Sequence, residues 1–517
     1  MRTQKSVVNM AVGLLGQLLN LILAIASRSI LARFMPSEYL GVNGLFSNVL
    51  TVLSLADLGI GTAIMYALYA PVAREDRREI QRLMNLYRKL YRYVAAAVAA
   101  LGLALLPFLN LLIRTERPVD HIVLIYLMYL SQSVASYFFV YKTALIEAHQ
   151  KQYICSIYTN VFTLLRYAGQ IVVLIATRNF FLYLAVQILC GLLPNLFASR
   201  RAERMYPYLK EDKTSYPEQE ERREIFRNVK ALFIHKAAGM MVYSVDSILI
   251  SALVSLGATG VYSNYKLISS NVGGIIDRLF EGISASVGNL IATEPDGERR
   301  YHIFSTLNFG AFLLYSYGAV AMLLLFEPFI LLYFGPSYLL PRRTALLLLA
   351  QFYMTGMRTV TQKFRNAQGI FWYDRYKALV EVFVNFTLSI LLAARFGLDG
   401  ILGATVIDLI LIPFWVDPVV LICYGWKEHH RKYLAGYFTR YFRWTAGMML
   451  AGYVTQQLCG RMEVPNLAGF VVKGLACTAV YGGLMLALFG WTRECRELFA
   501  YARQVLKHVK LTRGRTD

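Results

Sequence analysis

Fourteen apolar segments of helical length punctuate the chain, near 7–32, 42–67, 93–113, 121–141, 153–177, 179–198, 231–255, 260–292, 303–326, 344–362, 378–394, 400–422, 444–460 and 465–490. A helix needs about 20 predominantly apolar residues to cross a bilayer core. The runs are long and continuous rather than alternating ten-residue strands, which argues against a closed barrel. Composition agrees: 57% of residues are hydrophobic and 16% charged, against about 45–50% and 25% in soluble domains. The expected fold class is therefore an all-α polytopic membrane protein with about 14 transmembrane helices. Segment 260–292 exceeds one perpendicular span, so it tilts, kinks near Gly273-Gly274 or extends into water.

The net charge of +21 would raise the question of nucleic acid in a soluble protein. Here topology accounts for it. With the N-terminus in the cytoplasm, 38 Lys and Arg fall in inner segments, 8 in outer loops and 7 within spans. That asymmetry places both termini in the cytoplasm and leaves no need for a nucleic-acid partner. Arg2 and Lys5 followed by an apolar run to Ala24-Ile25-Ala26 look like a secretory signal. The run is long and interrupted by Gln17 and Asn20, so we read it as a retained first span. The six cysteines include no C-x-x-C pair and imply neither disulfide nor metal. Outer loops are too short for a catalytic domain. No phosphate-binding glycine loop, catalytic carboxylate pair or Ser/His triad is present, so the chain does not read as an enzyme. Asp76-Arg77-Arg78 lacks the glycines of the sugar-porter turn.

The longest hydrophilic stretch, 199–230, carries nine basic residues and the acids Glu203, Glu211, Asp212, Glu218, Glu220, Glu221 and Glu224. It divides an N-lobe of six spans (1–198) from a C-lobe of six (231–423), followed by spans 13–14 (424–490) and a basic tail (491–517). The halves echo each other weakly. Leu40-Gly41-Val42 opens span 2 as Thr259-Gly260-Val261 opens span 8, an offset of 219 residues. Such parallel repeats would be related by an axis along the membrane normal.

Ionisable groups inside spans are costly and usually face protein or a hydrated cavity. The cations are Arg28, Arg166, Lys236, Lys266, Arg278, Arg358 and Lys473; the acids are Asp57, Asp246, Asp277, Glu281, Glu381 and Asp408, with Asp417 nearer an end. At about 100° per residue, Asn9, Gln17, Asn20, Ser27 and Arg28 share an arc of about 100° on span 1. Asn43, Ser47, Ser54 and Asp57 share about 80° on span 2, and Lys266, Asp277, Arg278 and Glu281 about 120° on span 8. Span 7 carries Ser244, Asp246, Ser247 and Ser251 on a broader face. The economical reading is one hydrated cavity lined by spans 1, 2, 7 and 8. Blander readings stand beside it. Lys236 and Arg28 can snorkel to an interface, Arg278 and Glu281 can pair at i and i+3, and Arg166, Arg358, Glu381 and Asp408 can pair between helices. Gly59-Ile60-Gly61 either loosens span 2 or serves close packing.

An ordered set of short segments adds a further constraint. It comprises Ala32 to Gly41 (ARFMPSEYLG), Gly44-Leu45-Phe46, Leu55 to Ala63 (LADLGIGTA) and Leu83 to Tyr93. Gly288-Asn289-Leu290 with Glu294, Phe334-Gly335-Pro336, Ala367 to Trp372 (AQGIFW) and Gly400 to Thr405 (GILGAT) follow in order. With these the chain resembles the polysaccharide transport family of the multidrug/oligosaccharidyl-lipid/polysaccharide exporter superfamily. The resemblance runs from the first span to about residue 420. It implies two six-helix lobes around a cationic cavity, plus two C-terminal helices, in the cytoplasmic membrane of a bacterium. It also implies flipping of undecaprenyl-diphosphate-linked oligosaccharides from the inner to the outer leaflet for O-antigen, capsule or exopolysaccharide synthesis. Polysaccharide polymerase and glycosyltransferases are the protein partners this implies. Arg28 looks like the first-span cavity arginine of such flippases, but no adjacent acid accompanies it, unlike the lipid II branch.

The mechanism expected from this is alternating access. Arg28, Lys266 and Arg278 would attract the diphosphate, while Gln17, Asn20 and Asn43 shelter the sugars. Asp57, Asp246, Asp277 and Glu281 would hold the cations or bind a coupling proton or Na⁺. No cofactor is expected. The membrane potential is an alternative drive, because an outward-moving charge of −2 gains roughly 4.6 kcal/mol per 100 mV, inside negative. The competing readings are a lipid II flippase and a multidrug/cation antiporter of the same superfamily.

Overall fold

The computed structural model describes residues 20–54, 60–115, 117–149, 151–211, 214–223, 225–227, 229, 245–370, 373, 376–426 and 430–500. Among these residues there are helices and no strands. Short turns aside, the first part of the chain contains α1 (20–34), α2 (Ser37–Leu53), α3 (Ile60–Ala73), α4 (Arg77–Ala104), α5 (Ile122–Val140), α6 (Thr143–Ala148), α7 (Gln152–Thr177), α8 (Phe180–Met205) and α9 (245–254). The second part contains α10 (Leu256–Thr293), α11 (Gly297–Tyr333), α12 (Arg342–Met357), α13 (Thr359–Gln368), α14 (Lys377–Leu411), α15 (Pro413–Gly425), α16 (His430–Cys459) and α17 (Leu467–Phe489). Seven helical stretches among the described residues are long and apolar enough to cross a bilayer, by length and composition.

Several helices outrun their apolar segments because polar chemistry caps them beyond the membrane-length core. Asp76 accepts from the Glu79 backbone N–H at 3.1 Å and starts α4 well ahead of its apolar run. Asp296 does the same for α11 through Glu298 N–H, at 2.8 Å. Span 2 corresponds to two helices, α2 and α3, and Asp57 lies outside the described residues. Gly61 serves close packing: a Cβ there would meet the Tyr87 and Tyr91 hydroxyls at 3.0 and 3.1 Å. The 38-residue α10 runs through Gly273-Gly274 without a break. At 1.5 Å per residue it reaches about 57 Å, well beyond a bilayer core. The glycine is used sideways, because a Cβ on Gly273 would lie 3.6 Å from the Phe352 ring. Spans 11 and 12 meet inside α14 at Gly397, whose φ of 56° and ψ of −127° break the helix. A second break at Ile412 precedes Pro413, which has no N–H to continue the ladder.

By internal contacts the described residues form two compact units, one extending to Ser263 and one beginning at Asn264. From here N-lobe and C-lobe denote these two units, in place of the bounds 1–198 and 231–423 expected from the sequence. The two echoing glycines meet within the N-lobe. A Cβ on Gly41 would lie 2.0 Å from the Leu256 carbonyl oxygen, and one on Gly260 would lie 2.2 Å from that of Ser37. Small residues let two backbones approach this closely, as membrane helix pairs commonly require. Elsewhere in this lobe, Phe46 packs edge-on against Tyr126 and Tyr129. The C-lobe core is a larger aromatic cluster. Phe309, Phe312, Trp444 and Phe489 join α11, α16 and α17, with Phe312 stacked on Trp444 at 5.5 Å.

Candidate functional site

Within the N-lobe, polar side chains from four helices converge. α1 contributes Ser27, which is buried, and the half-buried Arg28. α5 contributes Tyr129, α7 contributes Arg166 and Gln170, and α8 contributes Tyr183 and Gln187. The Ser27 hydroxyl donates to Gln170 Oε1 at 3.3 Å, and Gln170 Nε2 donates to Gln187 Oε1 at 3.3 Å. This chain crosses from α1 through α7 to α8. Arg28 donates from Nη2 to the Ser263 hydroxyl on α10. Both Arg28 and Arg166 lie close enough to the Tyr129 and Tyr183 hydroxyls to act on them electrostatically.

The arginines bring positive charge to a cluster that otherwise consists of amides and hydroxyls. Arg166 lies over the Tyr167 ring at 4.6 Å. Its Nε is buried without a hydrogen-bond partner, and among the described residues no carboxylate lies within 4 Å of it. A buried donor left unsatisfied costs about 1–3 kcal/mol, more when charged. The planar guanidinium fork suits phosphate oxygens.

The C-lobe handles charge differently. Arg358, at the junction of α12 and α13, donates from Nε to Asp417 Oδ2 at 2.7 Å and from Nη2 to Glu381 Oε1 at 3.4 Å. Lys377 pairs with Asp417 and, at 3.6 Å, with Glu381. Arg365 approaches Asp417 at 3.8 Å. Glu381 and Asp417 are almost fully buried. Two carboxylates are thus engaged by three cations, which is a structural network. Asp277 on α10 accepts from the Tyr315 hydroxyl at 2.6 Å and from the Thr359 hydroxyl at 3.2 Å. Lys266 is half-buried and its ammonium makes no hydrogen bond or ion pair with the described residues.

The remaining expected residues are more scattered. Asn20 and Asn43 are half-buried, Asp246 and Asp408 are buried, and Arg278 is exposed. Glu281 lies on α10. Gln17, Asp57 and Lys236 lie outside the described residues. Arg166 is brought into the neighbourhood of Arg28, whereas Arg358 and Glu381 are tied to each other. Sequence reasoning missed Tyr129, Gln170, Tyr183 and Gln187 because it weighed ionisable groups on spans 4–6 and passed over neutral ones. The mid-span glutamines on consecutive segments were the available signal. It also missed Lys377 and Arg365, which were assigned to a loop.

No family model matches the sequence, and no curated protein matches it. The fold does match solved membrane transporters. An inward-closed structure of the lipid II flippase MurJ superposes with a TM-score of 0.68 at 12% identity, covering 92% of this chain and 98% of that one. An inward-facing multidrug resistance MATE transporter of the MOP superfamily gives 0.58 at 15% identity, covering 81% and 95%. A variant of the Vibrio cholerae MATE transporter VcmN gives 0.52 at 12%, covering 82% and 98%. The chain therefore shares the all-α, multi-helix membrane fold of the MurJ and MATE transporters. The similarity to MurJ extends over nearly the whole of both chains.

Proposed function

We propose that the protein is a flippase that moves undecaprenyl-diphosphate-linked oligosaccharide repeat units from the inner to the outer leaflet of a bacterial cytoplasmic membrane. The observation that carries this reading is Arg166, a guanidinium without a carboxylate partner among the described residues, near Arg28 and a cluster of tyrosines and glutamines. Such a cluster attracts an anionic headgroup, while its amides and hydroxyls suit sugar hydroxyls. A fold shared with a protein that flips lipid II supports a lipid-linked cargo. Lys266, with no partner among the described residues, and Arg278 are further candidate cations. Gln17, Asn20, Asn43, Asp57, Asp246 and Glu281 are candidate polar or coupling groups.

The cycle is alternating access driven by the membrane potential, with proton or Na⁺ coupling at an acid as the alternative. Asp277, held by Tyr315 and Thr359, is a candidate acid for that role. A second reading, multidrug/cation antiport, draws on the same acid and on the MATE fold likeness. A deletion strain distinguishes them. Trapping of lipid-linked repeat units on the cytoplasmic leaflet supports the flippase, and drug sensitivity with normal glycan export supports the antiporter.

A further inference from the structure

A cavity of about 700 Å³ opens in the C-lobe where α11, α12, α16 and α17 end or begin at the turns 334–341 and 460–466. Its walls are largely aliphatic, with Leu323, Leu331, Leu340 and Val464 among them. Five charged residues also line it: Lys473, Arg342, Arg461, Glu327 and Glu463. Among the described residues, none of the five forms an ion pair. Lys473 is 6% exposed. Its ammonium donates to the carbonyls of Gly460 and Met462 at 3.2 and 3.1 Å. An ammonium has three donors, so one remains, together with a charge that no carboxylate balances. The other four charged groups are exposed and of both signs.

A cavity with an aliphatic wall, one buried cation and a rim of charges of both signs has the chemistry of a zwitterionic amphiphile. We propose that it binds one phospholipid carrying a phosphate and a primary ammonium. The phosphate sits on Lys473, with Arg342 and Arg461 nearby, and the ammonium faces Glu327 and Glu463. The acyl chains lie along the leucine walls. The turns 334–341 and 460–466 join spans, so the cavity lies at the depth where headgroups are found. This lipid is separate from the transported cargo, and its site does not depend on the flippase reading.

The test is native mass spectrometry of the delipidated full chain in detergent, offered phosphatidylethanolamine or phosphatidylglycerol. One phosphatidylethanolamine is expected to be retained per chain, in preference to phosphatidylglycerol. Lys473→Met should lower retention at least about tenfold, the loss of one charge-assisted hydrogen bond to phosphate. Should Lys473→Met fail to fold, Glu327→Gln with Glu463→Gln, on the exposed rim, tests the same site. The double variant should keep lipid binding and lose the preference for ethanolamine. Soluble glycerophosphoethanolamine should not displace the lipid. Equal retention of both lipids by the native chain, an unchanged preference in the double variant, or displacement by the soluble headgroup would each overturn the proposal.

Discussion

Two clusters, one in each lobe, solve the same problem, charge among apolar helices, in opposite ways. In the C-lobe, Arg358 and Lys377 pair with Glu381 and Asp417, and Arg365 approaches Asp417 at 3.8 Å, so the network ties α12, α13, α14 and α15 together. In the N-lobe, Arg166 has no carboxylate within 4 Å among the described residues, and hydroxyls and amides lie near it. A satisfied network fixes a structure, whereas an unsatisfied cation leaves binding energy for a ligand. Counting buried charges therefore says little about function; asking which ones are compensated says more.

The largest expected effect breaks the compensated side. Arg358→Ala leaves the buried Glu381 and Asp417 to Lys377 and the more distant Arg365, and removing one partner of a buried pair typically costs about 3–5 kcal/mol. The variant should be lost from the membrane fraction, and normal accumulation would show that the network is not structural. Arg166→Ala is the matched change on the uncompensated side. It should leave thermal stability within about 1 kcal/mol, because no ion pair is broken. Transport should fall at least about tenfold, equivalent to one charge-assisted bond to phosphate. A stability loss like that of Arg358→Ala would erase the contrast between the lobes.

Asp277→Asn sharpens the comparison by removing an acid that hydroxyls rather than cations hold. Both donors already bind Oδ1, which the amide keeps, so stability should hold within about 1 kcal/mol, with transport unchanged under an imposed pH gradient. Transport that fell while stability held would make Asp277 a coupling group. The smallest effect lies outside the membrane. Glu221, in the linker, is pushed up to about 7 by burial, by its hydrogen bond with Glu79 and by that neighbour's charge. An acid raised in the folded state holds its proton better there than in the unfolded chain. Linker packing is therefore strongest near the ordinary carboxylate range and weakens as pH rises toward 7. Hydrogen exchange across 219–227 should speed up between pH 5 and 8 beyond its intrinsic pH dependence, and Glu221→Gln should remove the excess.

The membrane architecture was legible in the sequence because bilayer spans need long apolar runs, which composition and spacing reveal directly. The ends of helices were less so. The Asp76 and Asp296 caps extend α4 and α11 into polar sequence where apolar periodicity is silent. The echo at Gly41 and Gly260 was visible as a repeat, but only tertiary packing reveals that the two glycines touch. For the site, hydropathy finds a costly arginine but not its partner. Arg358 and Arg166 look alike in sequence, and residues 59 and 23 positions away, Asp417 and Glu381 to Arg358, decide their different roles.

The most direct test uses proteoliposomes containing the native chain, Arg28→Ala or Arg166→Ala, loaded with a polyprenyl-diphosphate-linked oligosaccharide and clamped at a defined potential. Appearance of the sugar on the opposite face would be measured at equal protein incorporation. The native chain should translocate the lipid, faster when the potential favours outward movement of negative charge, and both variants should be strongly impaired. Translocation that is unaffected by either substitution, or native chain that moves cationic drugs but no lipid-linked sugar, would contradict the account.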